Sequence, residues 1–220
     1  MLSFAEEIYL LSLGDNGKIS LCGGRAALHR ALCGAVLCEL AFLNRIDVDL
    51  KVLYVVDSTP AGVAILDDAL EMLNSLDRKE SIHFWLEQML PDAGKLEQDV
   101  AAELVNKGIL KLEETRVLWV FPSRSYPLIN DVEVKDVKRR LGEIVLSSDE
   151  LPTPRDTVLI SLAYACDLFH EILAPDDLER CRPRIEALSK LDLLGQEIIR
   201  EVSELPLTGS FVNQQYQSIN

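Results

Sequence analysis

Apolar residues recur three and four apart along most of this chain, so the pattern predicts helices joined by short polar breaks. Ser3 to Leu13 reads as a short amphipathic helix. Asp15-Asn16-Gly17 ends it, and Lys18 to Leu21 follows as a candidate strand. Gly23-Gly24 then opens a long apolar helix that runs to about Leu43. Ile46 to Leu50 alternates strictly, as a half-buried strand does, and Val52 to Val56 is its expected partner. The turn-rich stretch from Asp57 to Gly62 closes this β region.

Helical patterning resumes from Ile65 to Leu76, from Ser81 to Leu90 ahead of Pro91, and from Leu96 to Val105. Asn106-Lys107-Gly108 is a helix stop with glycine at the C′ position. Ile109 to Leu112 and Val117 to Phe121 flank Glu113-Glu-Thr-Arg116, which reads as a hairpin. Further helices are expected over Val132–Leu146, Arg155–Leu173 and Asp176–Leu188, with a last one reaching Glu204. Thr153 is the expected N-cap of the second of these, with Pro154 at its first position. The expected fold class is mainly α: a single globular helical domain over residues 1–204 with short β-hairpins, and a loose tail over 205–220.

Two stretches are oily enough to raise the question of a membrane. Ala26 to Leu43 has the length of a spanning helix but contains Arg30 and Glu39, and Val158 to Cys166 is too short. Both read as central helices buried nearly all round, and no span is expected. The N-terminus carries acids where a signal peptide needs basic residues. The five cysteines (Cys22, Cys33, Cys38, Cys166, Cys181) form no C-x-x-C pair and no zinc spacing, so reduced thiols in a cytoplasmic setting are expected. Against 36 Asp+Glu stand 22 Lys+Arg, a net charge of −14, which argues against a nucleic-acid partner.

The chemistry-bearing patterns are sparse. There is no dinucleotide or P-loop glycine motif and no G-x-S-x-G. His29, His83 and His170 sit singly on predicted helices. Asp67-Asp68 point to different sides of one helix, and Asp176-Asp177 suit a helix N-terminus. Gly23-Gly24-Arg25 offers backbone N–H groups to an anion, although a plain loop-to-helix turn explains it as well. Lys135, Lys138 and Arg139 share a helix face and read as a solvated one. Neither an enzyme, a cofactor nor a metal site is expected.

Several segments taken in order are more telling. Glu6 to Asp15 (EEIYLLSLGD), Leu37 to Ile46 (LCELAFLNRI), Ile65 to Leu70 (ILDDAL), Glu103 to Leu110 (ELVNKGIL) and Pro154 to Leu173, with AYACDLF inside it, resemble the Golgi phosphoprotein 3 family from about Phe4 to Leu188. The resemblance implies a mainly helical domain with a β-hairpin after the KGIL block. It also implies a non-catalytic peripheral membrane adaptor that binds phosphatidylinositol 4-phosphate and holds the cytoplasmic tails of membrane proteins.

The residues depart from that pattern at the headgroup site. Aligned through Glu39-Leu40, the family's pocket tryptophan falls at Gly24 and a neighbouring arginine at Cys33. Aligned through Lys107-Gly108, two further arginines fall at Gly94 and Glu97. A phosphate monoester carries nearly two negative charges. Losing these partners removes several charge-assisted hydrogen bonds of about 1.5–3 kcal/mol each. Arg25, Arg30 and Lys95 are the candidate substitutes. The resemblance further implies that the hairpin, here with Trp119, Phe121 and Tyr126, serves membrane contact or a homo-oligomer, while the alternation of Trp119 and Phe121 on one strand face reads equally well as core. The expected partners are therefore an anionic phospholipid or the cytoplasmic tails of membrane proteins. The alternative is a winged-helix-like regulatory or nucleic-acid-binding module, suggested by a helix followed by a short hairpin.

Overall fold

The computed structural model describes residues 1–14, 18–21, 24–76, 78–117, 121–147, 151–191 and 195–205, with the backbone alone given for 114–117 and 121–124. The chain begins with helix α1 (Phe4–Leu11), whose N-terminus is closed by a reciprocal cap. The Ser3 side chain accepts from the Glu6 backbone N–H, and the Glu6 carboxylate accepts from the Ser3 N–H. Every residue of α1 is buried, because the helix lies in the core rather than on it. Helix α2 (Gly24–Phe42) is the central element, and it packs against α1 and most later helices. Strands β1 (Ile46–Asp49) and β2 (Val52–Val55) form the expected hairpin, with Ile46 opposite Val55. The short β3 (Glu80–Ser81) adds to the other edge of β2, giving the order β1-β2-β3, all antiparallel.

Helices α3 (Ala64–Asn74), α4 (Ile82–Met89) and α5 (Ala93–Asn106) follow, a 3₁₀ turn at Leu90–Asp92 joining the last two. Gly108 takes φ +73°, the left-handed conformation anticipated for the stop after α5. The hairpin is β4 (Glu113–Val117) and β5 (Phe121–Ser125), then come α6 (Val132–Leu146), α7 (Pro154–Ala165), α8 (Pro175–Ser189) and α9 (Gln196–Glu204). The architecture is mainly α with short hairpins, around one contiguous hydrophobic core. Thr153 caps α7 as expected, in a reciprocal box with Asp156, and Pro154 is its first residue. Two close contacts tie α9 to α2. A Cβ at Gly34 would meet Val202 Cγ2 at 2.6 Å, so glycine permits the approach, and the buried Arg30 guanidinium donates to the Leu205 carbonyl beyond the end of α9.

Three sequence expectations are corrected. Lys18 to Leu21 is no strand: it makes a single bridge, Ile19 with Leu13, beside hydrogen bonds from Gly14 N to Lys18 O and from Ser20 N to Ser12 O. The helix expected over Arg155–Leu173 ends at Ala165. Asp167 then adopts the left-handed φ of 57°, which interrupts the helical ladder, and a 3₁₀ turn (Leu168–Glu171) follows. The hairpin is shifted in register. Glu113 to Arg116 is strand rather than turn, and Val117 pairs with Phe121 across it. Ile109 to Lys111 instead meet residues 127–129 at its base. A ribbon paired with itself needs no alternating apolar face, so hydropathy locates it poorly.

Candidate functional site

The family-equivalent positions named above are distributed over two elements, α2 and α5, which pack against each other. On α5 the buried face is Ala93, Glu97, Val100, Ala101 and Leu104, so a carboxylate occupies an otherwise apolar core position. Glu97 is 7% exposed. Its Oε2 lies 2.8 Å from His29 Nε2 on α2, and its Oε1 lies 3.5 Å from Arg25 Nε in the first turn of α2. The second distance is an ion pair but too long for a good hydrogen bond.

Glu97 forms part of the wall of a cavity of about 450 Å³. Also lining it are Tyr9 from α1, Lys18, Gly24 and Arg25 at the start of α2, and Tyr126 at the foot of β5. Gly24 has φ +58°, a conformation in which a side chain is strained, and the helix begins there. Burial holds the Tyr9 phenol well above its ordinary pKa, with the Glu97 carboxylate and Tyr126 adding to the effect, so Tyr9 keeps its proton. The Arg25 side chain is 70% exposed. The cavity therefore joins one buried carboxylate, two tyrosines, two cations and a helix N-terminus.

The candidate residues separate clearly. Gly24, Glu97 and Arg25 meet at this cavity. Cys33 is fully buried in the core, and Gly94 is not among the lining residues. Arg30 is committed to the end of α9. Lys95 lies on the exposed side of α5, bonded to Asp99 at 2.7 Å and 3.7 Å from Asp68. Tyr126 belongs to the cavity and packs on the core. Trp119 lies outside the described residues. Phe121 stands on β5 opposite Val117, so Val117 to Phe121 is not the single strand that alternation suggested, and its side chain too lies outside the described residues. Tyr9, Lys18 and His29 were not anticipated as part of a site. The signal for His29 was there: an ionisable residue on an apolar helix face, matched by Glu97 on another.

A second charged group lies on the other side of α1. Arg140 bonds both Glu7 and Asp156, and Arg155 bonds Glu7 at 3.2 Å and Glu39 at 3.1 Å. Arg155 also stacks over Phe4, 4.2 Å from the ring centroid, and Glu39 accepts from the Phe4 N–H. Burial raises the Glu7 pKa despite the two guanidinium groups. This network joins α1, α2, α6 and α7.

The family model described as Golgi phosphoprotein 3 (GPP34) matches residues 4–205, that is, all the elements from α1 to α9. The chain belongs to the Golgi phosphoprotein 3 family. Vacuolar protein sorting-associated protein 74 from Eremothecium gossypii is 25% identical over 240 aligned residues, which cover 93% of this chain and 69% of that protein. Within this Golgi phosphoprotein 3 member, no helix among the described residues is long and apolar enough to cross a membrane. The longest, α2, is apolar because other helices surround it.

Proposed function

We propose that this chain is a non-catalytic peripheral membrane adaptor of the Golgi phosphoprotein 3 type whose headgroup site has changed its ligand. The supporting observation is Glu97, a buried carboxylate in the wall of the cavity between α1, α2, α5 and the hairpin base. The family resemblance implies an arginine there. A phosphomonoester brought beside this carboxylate loses a guanidinium partner and gains a like charge, both unfavourable in a partly desolvated site. The location suits a membrane role, because Tyr126 connects the cavity to a hairpin that carries Trp119 and Phe121 in sequence.

The adaptor reading also draws support from the unreactive character of two buried cysteines. The Cys33 and Cys166 thiols are buried and pushed up to about 12, far from the lowered values of reactive cysteines. The partners proposed are a phospholipid surface and the cytoplasmic tails of membrane proteins, with self-association through the hairpin. A winged-helix module is the weaker reading, since the exposed positions of α5 are Lys95, Gln98, Ala102 and Asn106, one cation and no basic row.

Vesicle co-pelleting tests the proposal. The protein should pellet with vesicles, and equally so when phosphatidylinositol 4-phosphate replaces phosphatidylserine at matched charge. A several-fold preference for the phosphoinositide would refute the change of ligand, and failure to pellet with any vesicle would refute the membrane role.

A further inference from the structure

We infer that the Glu97 cavity takes a phosphodiester carrying a primary ammonium group, the chemistry of an ethanolamine headgroup. This rests on reading the cavity as the altered headgroup site. A dianionic monoester is poorly matched to a wall with a buried carboxylate, but a ligand carrying one charge of each sign matches both halves. The Glu97–Arg25 contact is long, at 3.5 Å, and the Arg25 side chain is 70% exposed, so the guanidinium has room to turn away from the carboxylate. On insertion the guanidinium turns to the phosphate and the ammonium takes its place on the carboxylate, so each charge exchanges one partner for another.

Each half has further support. On the anionic side, Oε2 of Glu97 is already held by His29, which fixes the carboxylate and leaves Oε1 to the long Arg25 contact. Tyr9 and Tyr126 add phenol oxygens and ring faces. Two tyrosines do not make the aromatic cage that a quaternary ammonium requires, whereas an N–H-bearing ammonium can donate to the carboxylate and phenol oxygens. On the cationic side, the exposed Arg25 stands in the first turn of a 19-residue helix, whose first-turn N–H groups and dipole favour a single negative charge, and Lys18 lines the same cavity. The volume of about 450 Å³ accommodates such a headgroup with its glycerol.

Calorimetric titration of the full chain with glycerophosphoethanolamine, glycerophosphocholine and glycerol 3-phosphate tests the assignment. Glycerophosphoethanolamine should bind about tenfold or more tighter than either of the others, the difference expected of one charge-assisted pair. Glu97→Gln should remove that preference without weakening glycerol 3-phosphate. Arg25→Ala, a change at an exposed side chain, should weaken all three, while the glycerol 3-phosphate binding kept by Glu97→Gln guards against a folding artefact. Equal or tighter binding of glycerol 3-phosphate, or an unchanged affinity in Glu97→Gln, overturns the inference. Vesicles separate lipid from free ligand: adding phosphatidylethanolamine to phosphatidylcholine should increase pelleting of the wild type and not of Glu97→Gln. Pelleting indifferent to both changes overturns this assignment and leaves the membrane role standing. Binding of the soluble headgroup with no vesicle binding at all does the reverse.

Discussion

Buried carboxylates lie on two sides of α1, a cluster of three on one and Glu97 alone on the other, and they differ in what answers them. In the α1–α2–α6–α7 network, Glu7, Glu39 and Asp156 meet the guanidinium groups of Arg140 and Arg155 inside the protein. At the cavity, Glu97 meets an imidazole and the loose, largely exposed Arg25. The first arrangement is complete as it stands and fixes helices against one another. The second holds one carboxylate oxygen by a long contact to an exposed guanidinium at a cavity wall, a partner more easily exchanged. Burial alone therefore does not distinguish a structural charge from a functional one; the partner on the far side does.

Arg155→Ala should break this comparison hardest. It leaves Glu7 and Glu39 buried with one fewer cation and removes the stacking on Phe4, so a loss of about 3 kcal/mol or more is expected in urea unfolding. Little change would mean that the network is solvated and no different from the cavity. Glu7→Gln probes the same network by pH. Because burial raises the folded pKa of Glu7 above its ordinary value near 4.5, the folded state binds the extra proton first, and wild-type stability gains on the variant as pH falls through the folded pKa. Thermal melts of both proteins between neutral pH and pH 5 read this difference, and parallel curves would contradict it. Glu97→Gln should change stability by less than about 1 kcal/mol, because the cavity lets water reach the site and the amide retains a bond to His29. A large loss in the same unfolding assay would make Glu97 a scaffold residue. Arg25→Ala should be smallest, within about 0.5 kcal/mol, since it is an exposed partner in a long ion pair.

Much of the scaffold was legible because local chemistry and global packing agreed. Thr153-Pro154, Gly108 and the alternation of Ile46 to Asp49 each fixed a boundary that tertiary structure had no reason to move. The expectation failed where backbone conformation, not hydropathy, decided. Asp167 takes a left-handed φ inside an otherwise helical pattern, and the β4–β5 ladder forms from residues whose polarity suggested a turn. At the site, proximity in sequence misled: Arg25 and Arg30 are five residues apart yet face a cavity and the end of α9 respectively. Tyr9 and Lys18 could not be assigned because only folding brings them to Glu97. The clues written in the chain itself were two ionisable residues on apolar helix faces, Glu97 on α5 and His29 on α2.

The attachment of the final helix to the central one has a consequence for biosynthesis. Gly34 is made early, while Val202 and Leu205, which cover that flank of α2, leave the ribosome long after it. Until then an oily surface stands open on the nascent polypeptide, and folding cannot finish co-translationally from the N-terminal end. A stop codon placed just ahead of Gln196 should therefore yield a sticky, chaperone-dependent product rather than a slightly shortened one.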